Sequence, residues 1–549
     1  MRTRAVAVVA AAIAVLTACG RRAECTGEYC GTLVIAGLGE PDILLPPASD
    51  DAHADAVDDQ LYVKLADLGA SGNTFGDVGF VPELAERWEW DNPRTITFHL
   101  NPNARWHDGR PVRAEDVAFS FDVNTDSIVN SRARASLTKV RRVTTRDSLT
   151  VVFHFSEAYP EMFYDAVHHM RILPAHLLRT VPRDQFRTAT FGRAPVGAGC
   201  YRFVAWKAGQ SLELAADSTC FLGRPHIRRL LWRFTPDPSV AVTQLVAGEA
   251  DVYEVVPPPD LERVRADSQL VTYPYAGPYY TFLAFNLRAR GDTSLPHPLF
   301  GDRQMRRALT LATDRQQLVQ SVFGGLAKVP PGPMPLMWAT WDSTLRVMPF
   351  DSAAAVRILA ANGWRDHDGD GVRDREGQKL AFELLTVTTS TSRRQYARLL
   401  QEQFRRIGVA VEITELESSV MTQRLETGNY DAALVSRIAD PSPTSSIALN
   451  WLAGSSSNYT RYDNPAFAEA YARATGAGNR DAALHAWRSA FQVLLDDAPA
   501  IWLYSQQVVA VVHRRVADVR IRPDAPYALV RTWRIPPDRL IDRDRVERR

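Results

Sequence analysis

The chain has 549 residues, 46% of them hydrophobic and 23% charged, which is ordinary for soluble globular protein and enough for two or three domains. Its 64 Lys and Arg against 63 Asp and Glu leave a formal net charge of +1, so no polyanionic partner is called for. No basic block, zinc-finger spacing or aromatic–basic ladder suggests nucleic-acid recognition.

Arg2 and Arg4 precede an apolar run, Ala5 to Leu16, that is too short to span a bilayer and reads as an export signal. It ends in Leu16-Thr17-Ala18-Cys19, which resembles a bacterial lipobox. On that resemblance residues 1–18 are a lipoprotein signal peptide, Cys19 is the lipidated first residue of the mature chain, and residues 19–30 are a tether. Ordinary secretory cleavage is the alternative, and either way the protein is expected to be exported. Of the 5 cysteines, Cys25, Cys30, Cys200 and Cys220 are then left in a compartment that permits disulfides. Four cysteines allow three pairings; the local ones, Cys25–Cys30 and Cys200–Cys220, are favoured.

Thr32 to Ala36 reads as a strand, followed by an irregular loop to Pro47. Leu61, Leu65 and Leu68 recur at helical spacing and predict a helix over 58–68. Thr95 to Leu100 alternates apolar and polar residues as a strand does. Asn101-Pro102-Asn103 and Trp106-His107-Asp108-Gly109 are turns, and Ala114-Glu115-Asp116-Val117 opens a helix with acids in its first turn, striped by Val117 and Phe121. His107 and Asp108 have the chemistry of a catalytic or metal pair, but the turn explains them without either. Between Arg141 and Phe155 two alternating segments predict a hairpin. His168, His169 and His176 are read as structural, since adjacent side chains on one element point different ways.

Further on, Gly248 caps a helix, Asp314 with Gln317 starts another, and Asn362-Gly363 stops a third. A strand from Leu380, a helix striped by Tyr396, Leu400, Phe404 and Ile407, and a strand from Val409 give a β–α–β order, hence a mixed α/β domain. Asp366, Asp368 and Asp370 alternate before Gly371, with Asp374 following, as in a calcium loop. Gly377 stands at the twelfth position, where such a loop has its bidentate Glu, so an Asx-rich turn competes with a structural Ca2+ site.

Several blocks resemble, in order, the family 5 extracellular solute-binding proteins, the oligopeptide-, dipeptide- and nickel-binding receptors of bacterial ABC importers. They are TLVIA from Thr32, PELAERWEW from Pro82, FHLNPNARWHDGRPVRAEDVAFSF from Phe98, ILPAHLL from Ile172, PVGAGCYR from Pro195, LVAGEAD from Leu245, FGDRQMRRAL from Phe300 and YDAALV from Tyr430. Arg113 stands where that family has a Thr cap, and Cys200 and Cys220 replace the usual Pro and Tyr. The resemblance implies an α/β fold of the periplasmic-binding-protein type II kind, a three-lobed clamshell with mixed sheets and a hinge. The first lobe would comprise 31–74, 194–285 and 505–549, the second 75–193 and the third 286–504.

It also implies a monomer that binds a short peptide or similar small solute and partners ABC permease subunits and, through its lipid, the membrane, on the periplasmic side or cell surface. In peptide-binding members the residue at Asp440 pairs with the ligand's α-ammonium; the alternative is a helix cap. Arg437, where the family has Trp, is expected either to bind a carboxylate or to pair with Asp440. Trp451, Tyr459 and Tyr504 are candidate cleft aromatics, with core packing the competing reading. No Gly-x-Ser-x-Gly, His-Glu-x-x-His or phosphate loop is present, so no catalytic residue and no cofactor is assigned. An exported hydrolase, or a binder of a sugar, nickel chelate or haem on the same fold, is the alternative.

Overall fold

The computed structural model describes residues 28–49, 51–338, 342 and 344–545. Cys19, Cys25 and the export signal lie outside the described residues. A sheet of 12 strands runs through two lobes, and one strand, Ala500–His513, belongs to both. Its sequence, AIWLYSQQVVAVVH, is aromatic and β-branched at both ends, as a strand buried on both faces requires. The first half pairs with Tyr279–Phe285, from Ala284↔Ala500 to Thr281↔Tyr504. The second half pairs with Leu270–Ala276, from Ala276↔Gln507 to Leu270↔His513. Between these halves the chain passes from one lobe to the other at Gly277-Pro278. There the Gly277 N–H donates to the Gln506 carbonyl at 3.2 Å, and a Cβ on Gly277 would lie 2.6 Å from that oxygen.

Strand alternation sorts the cores. In the first lobe Leu33, Ile35, Val252 and Val512 face one side, and Val34, Ala36, Val509 and Val511 the other. In the third, Leu283, Phe285, Leu434 and Ile501 oppose Phe282, Ala284, Val435 and Trp502. The predicted helix stripe of Tyr396, Leu400, Phe404 and Ile407 is buried in the former group.

The second lobe is a 4-stranded antiparallel sheet, Ala85–Asn92, Thr95–Leu100, Thr150–Phe155 and Val140–Asp147 in that order, with the helix Ala114–Thr125. Arg113 supplies no side-chain cap, yet Asp116 reaches back to accept the Arg113 N–H at 2.8 Å. Asp116 also accepts from the Ala175 N–H at 3.0 Å and the Trp106 indole at 3.3 Å, which ties the signature turn to the helix. The helix is buried on two sides: Val117 and Phe121 in the second lobe's core, Phe119 and Val123 in the first lobe's. These two lobes are therefore welded through one helix.

Two expectations change in detail, and a third, the structural reading of His107, gains its partners. The helix read over 58–68 is Ala52–Leu61, capped by Asp51, whose side chain accepts the His53 N–H. The chain then runs extended, carrying Leu65 and Leu68 into the second lobe's core, so residues 63–68 pack with that lobe and not with the first. The helical spacing of the three leucines is a coincidence of two elements. Finally, His107 is a strut: its Nδ1 accepts the Gly197 N–H at 3.2 Å and its Nε2 donates to the Gly199 carbonyl at 2.9 Å. Burial lowers its pKa and keeps it neutral in that role.

Cys200 and Cys220 form the expected disulfide, with Cα atoms 5.1 Å apart. Cys30 is buried and disulfide-bonded. The C-terminal segment clamps the first strand. Arg515, 4% exposed, ion-pairs with Asp251 and Asp544 at 2.6 Å each, while Asp251 accepts the Val34 N–H and Asp544 the Thr32 N–H.

Candidate functional site: the crevice between the lobes

Crevices in open α/β sheets form at the carboxyl ends of strands. Here those ends belong to the parallel strands Thr32–Gly37 and Val252–Tyr253 in the first lobe and to Ala432–Ile438 in the third. The last strand pairs along its whole length with Tyr279–Phe285. On its other side Ala381–Val387 pairs only with Ala432 and Ala433. Among the described residues, 434–438 have no strand paired on that side; Leu434 and Val435 are buried, and the edge opens toward Ile438, which is 67% exposed.

Asp440 follows that edge. The Ala439 N–H donates to the Pro278 carbonyl at 3.0 Å, which fixes the turn against the crossing between lobes. The Asp440 N–H donates to Ser446 Oγ at 3.2 Å, and its carbonyl accepts from the Trp338 indole. The exposed carboxylate accepts one bond, from Ser445 Oγ at 3.0 Å, and has no ion-pair partner among the described residues. It does not cap the next helix, Pro443–Trp451; Ser442 does, accepting the Thr444 N–H at 3.2 Å.

The other predicted crevice residues are placed elsewhere. Arg437 sits opposite Tyr280 in the strand register, on the face of Phe282 and Trp451, so alternation turns it away from Asp440. Its guanidinium donates to the Ser457 carbonyl at 2.9 Å and lies 4.2 Å over the Tyr459 ring. Tyr459 itself borders a surface concavity of about 570 Å³ on the third lobe with Arg288, Glu426 and Arg461. Trp451 is core, 1% exposed between Phe282 and Trp502. Tyr504 is likewise buried, against Phe323 and Tyr396.

Three groups that no sequence signal marked border the same region. Arg393, on the first turn of the helix Thr391–Arg405, is half-buried beside Tyr504; burial lowers its pKa, and it makes no ion pair among the described residues. Glu254, the residue after Val252–Tyr253, accepts the Tyr275 hydroxyl at 3.3 Å. Glu161, in the second lobe and 4% exposed, accepts from Ser442 Oγ of the third lobe and, at 3.5 Å, from Thr74 Oγ1. Burial is the main reason its pKa is pushed up to about 8, with Asp165 adding to it. Phe75, 2% exposed, inserts into the third lobe's core close by. The structure thus has the second lobe docked on the third, a closed arrangement. These residues escape a sequence reading because each gains its meaning from a partner distant in the chain, and for Glu161 that partner lies on another lobe.

The Asp-rich loop brings carboxylate oxygens of Asp366, Asp368 and Asp374 within 4.8 Å of one another. Protein groups already serve it. Lys379 Nζ pairs with Asp368 at 2.6 Å and Asp370 at 2.8 Å, Asp366 accepts the N–H groups of Gly369 and Gly371, and His367 Nδ1 lies 2.8 Å from Asp374. The ammonium balances two of the loop's carboxylates, Asp368 and Asp370.

Comparison with known proteins follows the same lines. Residues 79–459 match the bacterial extracellular solute-binding proteins, family 5, middle region. The oligopeptide-binding protein AppA of Bacillus subtilis is 27% identical over 406 residues, 73% of this chain and 72% of that one. Protein XP55 of Streptomyces lividans is 30% identical over 470 residues, 85% of this chain and 82% of that one. Among solved structures, B. subtilis AppA in complex with a nonapeptide aligns with a TM-score of 0.71 at 24% identity, covering 93% of this chain and 100% of that one. The substrate-binding protein CtaP of Listeria monocytogenes aligns with a TM-score of 0.80 at 20% identity, covering 92% and 99%. The chain belongs to the bacterial extracellular solute-binding proteins of family 5.

Proposed function

We propose that this protein is the substrate-binding component of an ABC importer, capturing short peptides between its lobes and passing them unaltered to a membrane permease. The observation that carries this is Asp440: an exposed carboxylate with no cationic partner among the described residues, at the end of an open strand edge. A strand edge supplies main-chain hydrogen bonds that any peptide can make, which gives affinity without sequence. A carboxylate at its end takes the α-ammonium through a charge-assisted bond and sets the direction of the chain. Closure is favoured only because the peptide touches both lobes at once. B. subtilis AppA, 27% identical, is named an oligopeptide-binding protein, in line with this reading.

The mature protein, in the same reading, is a monomer held at the cell envelope by acyl chains on Cys19, with residues 19–30 as the tether. Partition of the expressed protein into a detergent phase, lost on Cys19→Ser, tests the anchor. The function is tested by native mass spectrometry of protein incubated with a mixture of di- to decapeptides. Intact captured peptides are expected; peptide fragments would identify a hydrolase, and an absence of any peptide adduct would refute the receptor.

A further inference from the structure

The strand Val252–Tyr253 lies parallel beside Thr32–Gly37, with Ile35↔Val252 and Ala36↔Tyr253 in register, and Glu254 leaves the sheet at this carboxyl end. One carboxylate oxygen accepts the Tyr275 hydroxyl at 3.3 Å. Tyr275 ends only two residues before Gly277, where the chain crosses between lobes, and Tyr279 follows on the far side. Asp440 reaches the same crossing from the third lobe, through the bond from Ala439 to Pro278. Two carboxylates thus flank one crossing from opposite lobes.

We infer that Glu254 is a specificity-determining residue of the crevice, selecting peptides that carry a lysine or arginine side chain. This rests on the peptide reading above. The groups that act on Glu254 are Tyr253, Tyr275, Tyr527 and His53. The first three are aromatic hydroxyls, and His53 has its Nδ1 on Asp51 at 2.8 Å. Glu254 has no ion pair among the described residues, although desolvation penalises its charge enough to raise its pKa. A half-buried carboxylate with one neutral partner is an unbalanced group, and a guest cation restores the balance. Its surroundings suit a long cationic side chain: the methylene stem lies along aromatic faces and the charged head meets the carboxylate. With the α-ammonium on Asp440 in the third lobe, side chains of an extended peptide alternate in direction, and those on the first-lobe side are the ones Glu254 would read.

The test is calorimetry with tripeptide pairs that differ only by lysine against norleucine, its uncharged counterpart, at the second or third position. Wild-type protein is expected to bind one lysine peptide about tenfold or more tighter than its partner, a difference of about 1.4 kcal/mol. In Glu254→Gln that ratio collapses toward one, whereas Asp440→Ala lowers both affinities together and keeps the ratio. A wild-type ratio near one, a ratio that survives Glu254→Gln, or an equal loss of both peptides in that variant overturns the inference and leaves the peptide reading standing. Binding of neither peptide by wild-type protein overturns both.

Discussion

Single side chains decide most of what is distinctive here. Arg437 and Asp440 are three positions apart, yet one is locked over Tyr459 and the other is free at the surface, because strand alternation fixes the first and a turn releases the second. The sequence shows both residues but not the face each takes. The same limit applies to Trp451 and Tyr504: an aromatic that lines a cleft and one that fills a core have the same local pattern, and burial separates them only in the fold. Lys379 is a clearer case. Its ammonium is held by Asp368 and Asp370, which in turn push its pKa up. Added calcium would have to displace it, so millimolar calcium is expected to leave the melting temperature unchanged. A rise of several degrees would show that the loop takes a metal after all. In Lys379→Met the carboxylates lose their counter-charge, and a calcium-dependent rise is then expected.

At the scale of elements, the reading from sequence was strongest where periodicity and turn residues agreed. The strand Thr95–Leu100 and the Cys200–Cys220 disulfide fall where they were expected, and the hairpin and the helix following the turn do so within a residue or two at their ends. It failed at 58–68, where leucines of two elements happened to share a helical spacing. Long-range pairings were out of reach. The C-terminal clamp joins Thr32 to Asp544 and Arg515 to Asp251, and nothing local announces it. Arg515→Met would leave the buried Asp544 carboxylate without its cation and Asp251 with Arg543 alone. A loss of about 3–5 kcal/mol in urea unfolding is expected. A loss under about 1 kcal/mol would mean the segment is not holding the first strand.

For the whole molecule, closure is the event that matters, and Glu161 ties it to pH. Closed, the second lobe buries Glu161 against Ser442 and its pKa rises to about 8; opened, it returns toward the ordinary 4.5. The closed form therefore keeps a proton that the open form releases. Closure is strongest at and below pH 4.5 and weakens as pH climbs toward about 8. Asp165 and Lys139 face the same carboxyl and modulate the effect, and the peptide's own ammonium titrates near the upper end of that range. Comparison with Glu161→Gln isolates the term: peptide affinity of wild-type protein should fall more steeply between pH 5 and pH 8 than that of the variant. Parallel profiles would remove Glu161 from the account.

The central claim is that Asp440 holds the α-ammonium of a peptide caught between the lobes. Calorimetric titration with a bound peptide and its N-acetylated form, on wild-type protein and Asp440→Ala, tests it most directly. The free amine should bind wild-type protein about 2–5 kcal/mol more tightly than the acetylated peptide, as expected for a charge pair held in a closed crevice. That advantage should vanish in Asp440→Ala. Equal binding of the two peptides by wild-type protein, or an advantage that persists without the carboxylate, would contradict it.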